Sequence, residues 1–428
     1  MSRLWLLNCL VAAVIFLSLA TLKGALVALA IPLFIYAVSC LFQGSPVVQL
    51  SAVRTLSARR VMAGEPVVVT LSITNQGAAI EELQIADVVP QSLEVLEGQT
   101  YALTTLLPGE TIEMEYRVRA RRGLFEFSDI RASVRDHLGL RETHVVLSAT
   151  AQLLVLPEAP RLRSVAIRPR HTHGFAGSIP ARQAGTGVDF LGVREYQPGD
   201  PQRWINWRVS ARHAQTLFSN QFEQERITDV GLILDTRQHS NLHSNDKALF
   251  EYAVCATAAV AEACLKEGHR VGLLLYGYGM ERTFPGYGRL QRQRLLNALA
   301  RARTGMNYAL ESLGRLPTRF FPAQSQLVIV SPLSPEDVST LMSLRAHGYE
   351  ILVICPDVVS FELASRDASS HPQLAARLAR IERTLWLRSL QRVGIRVVDW
   401  RVDQALDQAI HTALQKQPIG RAAWERAT

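Results

Sequence analysis

Three residues in this chain have the types and spacing to do metal chemistry: Asp235, His239 and His243, each four residues after the last. On one helical turn such a set would hold Zn²⁺ through a carboxylate and two imidazoles, with one position left open for water. The local sequence argues against it. "DTRQHSNLHS" (235–244) is rich in turn formers, no Glu follows in a His-Glu-x-x-His arrangement, and Arg237 sits in the middle. A carboxylate pair for acid/base work is offered by Glu195 and Asp200, but nothing nearby in the sequence builds a pocket or raises a carboxyl pKa. His171 and His173 read as a solvated loop. "GYGMER" (277–282) lacks the third glycine of a phosphate-binding loop, and with Pro285 and Gly286 following it reads as a turn. No nucleophile elbow or P-loop is present, and no catalytic residue is assigned.

The elements that would position these residues fall into three textures. Residues 4–22 and 25–42 are almost wholly apolar, each near the length that crosses a bilayer, with Lys23-Gly24 between them. They predict a transmembrane hairpin over 1–44, with lipid as the partner of its helices. Arg3, Arg54, Arg59 and Arg60 on the flanks outweigh the lone Lys23, which places both ends and the soluble domains on the cytoplasmic side of the inner membrane. Cys9, Cys40, Cys255, Cys264 and Cys355 form no Cys-x-x-Cys pair and fit free thiols in a reducing compartment.

From 48 to 156 the chain alternates. In "TIEMEYRVRA" (111–120), Ile112, Met114, Tyr116 and Val118 share one face of a half-buried strand. Repeated short runs of this kind predict an immunoglobulin-like β-sandwich. From 229 to 415 the runs are continuously apolar: "DVGLILD", "RVGLLLYG", "QLVIVS", "YEILVIC" and "IRVVDW", with amphipathic helical stretches between most of them. Such strands belong to a mostly parallel sheet covered on both faces. Ser334-Pro335-Glu336-Asp337 reads as a helix start, with a cap, a proline and acids in the first turn. Ligands of parallel sheets gather at the carboxyl ends of the strands, here near Asp235, 303–313 and 331–337.

Between these regions, 157–228 links the domains and holds "REYQPGDPQRWINWRVSAR" (194–212). Pro198-Gly199-Asp200-Pro201 is a turn. Trp204 and Trp207 are three apart, which one helical turn would place on a single face. Arg194, Arg203, Arg208 and Arg212 are expected to fork onto Glu195, Asp200 or Asp189. Together with Tyr196, Gly199 and Asn206, these residues read first as a stitched connector and second as a protein-docking surface. The +8 charge is carried almost entirely by arginine, with Lys only at 23, 247, 266 and 416, and no recognition motif accompanies it, so no nucleic-acid role is inferred.

The pattern Asp189-Phe190, Arg194-Glu195-Tyr196, Pro198-Gly199-Asp200, Arg203, Ile205-Asn206-Trp207 and Ser210-Ala211-Arg212 resembles the signature of the "domain of unknown function 58" family. "RRGLFEFSDIRASVRDHLGL" (121–140) resembles the family's Arg-Gly … Asp-Pro-x-Gly-Leu stretch, with His137 where proline is usual. The resemblance implies a multidomain chain: a membrane hairpin, a sandwich and a C-terminal von Willebrand factor A-like α/β domain. It also implies partnership with MoxR-type AAA+ ATPases. Domains of that type often hold Mg²⁺ through Asp-x-Ser-x-Ser, a threonine and a second aspartate. Here Arg237 and His239 replace the serines, Met306 the threonine and Pro332 the aspartate, so the site reads as degenerate, with Arg237 free to pair with Asp235. No cofactor is expected. The function implied is a non-enzymatic adaptor or scaffold. A metal-dependent hydrolase built on Asp235 and its neighbouring histidines is one alternative, and a self-associating structural protein of the cell envelope is another.

Overall fold

The computed structural model describes residues 3–21, 24, 25, 28, 30–32, 34, 35, 38, 48–135, 142–163, 179–213, 216–226, 229–244, 247–317, 320, 321, 325–363 and 370–416. The chain divides into two units, 1–156 and 157–428.

The first unit begins with the helix Arg3–Thr21. It ends where the Thr21 hydroxyl turns back to donate 2.7 Å to the Leu17 carbonyl. Nine strands follow: β1 (Leu50–Leu56), β2 (Arg60–Met62), β3 (Pro66–Asn75), β4 (Ile80–Asp87), β5 (Leu93–Gly98), β6 (Tyr101–Leu106), β7 (Thr111–Ala120), β8 (Gly123–Arg135) and β9 (Glu142–Leu156). They form two sheets, ordered β1-β3-β7-β5 and β2-β9-β8-β4-β6. Period-two patterning sets the inner faces. In β7, Met114, Tyr116 and Val118 are buried while Glu113, Glu115 and Arg117 face water. Leu71, Ile73 and Met114 of one sheet share a core with Leu83, Ile85 and Ile130 of the other. Inside this unit Arg54 bonds to the Asp87 carboxylate and the Ala149 carbonyl, and the Tyr116 hydroxyl donates 2.6 Å to Asp87. Burial pushes the Tyr116 phenol well above its usual range, and its bond to Asp87 adds to the shift.

In the second unit, β10 (Ile179–Glu195) and β11 (Phe218–Arg226) make a two-stranded antiparallel ribbon. After it come β12 (Asp229–Thr236), the short pair β13 (His243–Ser244) and β14 (Lys247–Ala248), then β15 (Arg270–Gly277), β16 (Met280–Gly286), β17 (Gln326–Val330), β18 (Glu350–Pro356) and β19 (Arg396–Trp400). Six of these form one sheet in the order β16-β15-β12-β17-β18-β19. Helix Leu249–Lys266 is rich in buried alanines (253, 256, 258, 259, 261 and 263), whose small side chains let a helix lie close to its neighbours. Helices Asp337–Ala346 and Ser370–Arg392 contribute Leu341, Leu344, Leu387 and Leu390 to the core beside Ile233, Ile329 and Val353 of the strands.

Two expectations are corrected. The sheet is mixed: β15 and β16 are joined through Tyr278-Gly279 and pair antiparallel, because a two-residue connection can only make a hairpin. The stretch 277–282, read as a turn, contains that hairpin turn, and Pro285-Gly286 ends the edge strand after it. The expected membrane hairpin followed by a parallel von Willebrand factor A-like domain therefore gives way to a multidomain, β-rich chain with an N-terminal helix and mixed sheets. Among the described residues no helix is long and apolar enough to cross a membrane. Apolar composition raised that expectation, but a span needs an uninterrupted apolar helix of sufficient length. Residues 136–141, and His171 and His173, lie outside the described residues, as does most of 22–47.

Candidate functional site

β12 is the buried centre of the large sheet, flanked on both sides by parallel strands. Its carboxyl end delivers Asp235 and Thr236, and the chain then turns with Arg237. That turn is possible because a glycine lies beside it. Gly277 ends β15 at φ +144°, and a Cβ there would lie 2.3 Å from the Arg237 backbone nitrogen. On the other side Gly305 bridges to Arg237 and donates to the Thr236 carbonyl at 3.3 Å.

Arg237 is buried at 4% exposure, and all five of its guanidinium N–H groups are used. Nε donates to Asp235 Oδ1 at 2.9 Å and Nη2 to Asp235 Oδ2 at 2.8 Å. Nη1 donates to Asp337 Oδ1 at 2.9 Å and Nη2 to Asp337 Oδ2 at 2.8 Å. The fifth bond, from Nη1, goes to the Glu311 carbonyl at 2.9 Å. The guanidinium is thus clamped between two carboxylates, each engaged through both oxygens. This geometry suits the planar arginine fork and no lysine could reproduce it.

The carboxylates are held in turn. Asp235 accepts from the Arg237 backbone at 3.0 Å and from the Ser331 hydroxyl at 2.6 Å, and His239 Nε2 stands 3.4 Å from Oδ2. Asp337 accepts from the backbone and the hydroxyl of Ser334 at 2.8 and 3.1 Å. Ser331 follows β17 and also accepts from Leu333 N at 2.9 Å, while Leu333 takes a left-handed backbone at φ +53°. Burial alone would raise the Asp235 pKa. The hydrogen bonds from His239 and Arg237 outweigh it and hold the carboxyl well below the usual carboxylate range. For Arg237, burial likewise opposes the charge, and the bonds to Asp235 and Asp337 more than restore it.

A divalent cation does not fit this arrangement. Mg²⁺ requires free oxygens at about 2.0–2.1 Å. Here both oxygens of Asp235 and both of Asp337 already accept from a permanent cation that belongs to the chain.

The remaining sequence-derived residues separate into two groups. Met306 is 64% exposed. It lies in a loop tied to the β15–β16 turn, where Asn307 Nδ2 donates 3.1 Å to the Tyr278 carbonyl. Tyr278, Met280 and Tyr308 are exposed in the same region, Tyr308 by 81%. Pro332 is buried, its carbonyl 3.3 Å from Cys355 Sγ. His243 is exposed, with Nδ1 3.1 Å from the Asn241 carbonyl, and does not join His239 at Asp235. Sequence reading missed Asp337 as Arg237's second partner. In the sequence Asp337 reads only as a favourable charge in the first turn of its helix. The overlooked signal was the fork itself, which has more donors than one aspartate can take.

The arginine-rich stretch 194–212 sits beside the β10–β11 ribbon rather than at this site. Arg194 Nη2 donates 2.6 Å to Asp200 Oδ1 and Nη1 3.0 Å to the Glu195 carbonyl. Asp200 also accepts from Gln197 N at 3.1 Å, the larger cause of its lowered pKa, with Arg194 adding to it. Gly199 supplies the turn at φ +109°, and the Tyr196 hydroxyl reaches the Asp200 carbonyl at 3.4 Å. Asn206 caps the short helix Trp207–Ser210 by accepting from Val209 N at 3.1 Å, and donates 2.8 Å to Asn220 of β11. Trp204 and Trp207 do not share a helical turn. Trp204 ends a 3₁₀ turn and is half-buried, whereas Trp207 opens the next helix and is 67% exposed. Arg203, Arg208, Arg212 and Glu195 are exposed.

Residues 192–363 match the model of a family described as "Protein of unknown function DUF58". That segment is similar to the DUF58 family. The match runs from the end of β10, through Arg237 and Asp337, past β18. A relative described as "Uncharacterized protein YeaD", from Bacillus subtilis (strain 168), is 28% identical over 348 residues, covering 78% of this chain and 83% of its own. Among solved structures, a CARDB domain from Pyrococcus furiosus resembles 26% of this chain and 89% of its own, at 13% identity and a TM-score of 0.18. A fragment of Escherichia coli alpha-2-macroglobulin resembles 32% of this chain and 22% of its own, at 20% identity and a TM-score of 0.24.

Proposed function

We propose that this DUF58 chain acts as a non-enzymatic adaptor, whose second unit binds a protein partner at the carboxyl-end face of its large sheet. The observation that carries this reading is the Asp235–Arg237–Asp337 clamp. Where a metal would offer an open coordination position for chemistry, a saturated guanidinium offers none. It does fix three loops, 235–243, 305–313 and 331–337, in one arrangement. Those loops and the neighbouring turn present Tyr278, Met280, Met306 and Tyr308 to solvent, and clustered exposed aromatic and methionine side chains favour protein recognition.

The partner we infer is a MoxR-type AAA+ ATPase, acting with this chain in assembly or maturation of another complex. The test is direct binding of the full chain to a purified MoxR-type ATPase from the same organism, with and without ATP. Retention that is lost with Met306→Glu/Tyr308→Glu supports the reading. No retention in either nucleotide state contradicts the partnership.

A further inference from the structure

The long helix Ser370–Arg392 has one face fixed by the core. Leu387 and Leu390 pack inward, and Arg383 is buried, donating to Asp399 at 2.7 Å and to the carbonyls of Cys355 and Pro356 at 3.1 and 3.2 Å. Those bonds tie the helix to the carboxyl ends of β18 and β19 and set its rotation. The opposite face is therefore committed to solvent, and it is not polar. Leu374, Leu378, Ile381 and Leu385 are 74, 58, 58 and 62% exposed. Their spacing of four, three and four is the d-a-d-a stripe of a coiled coil. An amphipathic surface helix normally carries charges on such a face.

We propose that this stripe is a self-association surface, occupied by the same helix of a second copy of the chain in parallel orientation. The charges beside the stripe select that occupant. With Leu378 and Leu385 at a, Arg377 falls at g and Glu382 at the following e position. In a parallel pair, g of one helix faces the next e of its partner, so Arg377 meets Glu382 of the other copy twice by symmetry. Neither residue has an opposite charge in reach along its own helix. The positions three and four away from Glu382 are Leu378, Ala379, Leu385 and Trp386, and those from Arg377 are Gln373, Leu374, Arg380 and Ile381. An antiparallel pairing would leave both charges opposite neutral residues. The stripe is short because the next d position is Arg388, so the association is reversible and concentration-dependent. This face is separate from the one around Met306 and does not rest on the adaptor reading.

Sedimentation velocity of the full chain over a wide concentration range tests it. The wild type is expected to self-associate, and Leu378→Glu/Leu385→Glu to weaken that at least about tenfold. Arg377→Glu and Glu382→Arg, which face like charges in a parallel pair, should each weaken it, and the double reversal should restore it. Circular dichroism checks that each variant is folded. If the leucine variant is not, the charge-reversal set decides alone. A wild type that stays monomeric, association untouched by the leucine variant, or a double reversal that fails to recover, overturns the proposal.

Discussion

Arg237 and Asp337 are 100 residues apart in sequence, yet they face each other through two parallel N–H···O bonds of 2.9 and 2.8 Å. With Asp235 gripping the other side of the same guanidinium, the pair welds the end of β12 to the start of helix Asp337–Ala346. Every guanidinium donor and every carboxylate oxygen at its centre is engaged, which fixes the geometry of the site.

Removing the cation should therefore be costly. Arg237→Met leaves two buried carboxylates face to face, and a lost partner in a buried ionic group costs about 3–5 kcal/mol. Chemical denaturation of the second unit should show that loss. Arg237→Met with Asp235→Asn and Asp337→Asn should recover a large part of it, since the uncompensated charges are gone. A single variant as stable as wild type would mean the clamp is not formed in solution.

The depressed Asp235 pKa fixes the sign of an acid effect. A carboxyl that is more acidic folded than unfolded contributes stability above its unfolded pKa of about 3.9, and that contribution fades as pH falls from there toward the lower folded value. Acid unfolding followed by near-ultraviolet circular dichroism should show stability dropping below about pH 4. In Asp235→Asn the slope in that window should be shallower. An unchanged slope would remove Asp235 from the linkage.

Much of the large sheet is legible in the sequence, for a physical reason. β12, β15, β17, β18 and β19 are nearly continuous apolar runs because helices and neighbouring strands bury them on both faces. β16, Met-Glu-Arg-Thr-Phe-Pro-Gly, is an exposed edge with mixed composition, so it carries no such signal. The Asp235–Arg237 contact is legible because it spans two residues. Asp337 is not, because only folding brings it to the same guanidinium. The tryptophans mislead for the opposite reason: their spacing suggests one helical turn, but Asn206 caps a new helix between them. The N-terminal expectation rested on two apolar runs of spanning length, a short turn and flanking charges, and among the described residues no helix meets the requirement for a span.

Backbone geometry beside the clamp gives an independent check. Gly277→Ala would place a Cβ 2.3 Å from Arg237 N in a left-handed conformation, a strain of about 1–3 kcal/mol or more. The thermal midpoint should fall clearly. At Gly279, where a Cβ would meet nothing within 4 Å, alanine should have a much smaller effect. Equal effects at the two positions would contradict the close approach.

In the arginine-rich stretch, Asn206→Ala loses a helix cap and the bond to Asn220, and is expected to cost about 1 kcal/mol by denaturant unfolding. Trp207→Ala, at an exposed side chain, should leave the unfolding midpoint within about 0.5 kcal/mol of wild type. The reverse order would mean that Trp207, not Asn206, stitches the ribbon.

The central claim is that the Arg237 guanidinium is held between the Asp235 and Asp337 carboxylates and occupies both oxygens of each. Crystals of the full chain grown with Mn²⁺ and measured for anomalous scattering test it most directly. The account predicts Arg237 density between Asp235 and Asp337 with no manganese peak beside them. A manganese ion bonded to the Asp235 carboxylate, with Arg237 swung away, would contradict it.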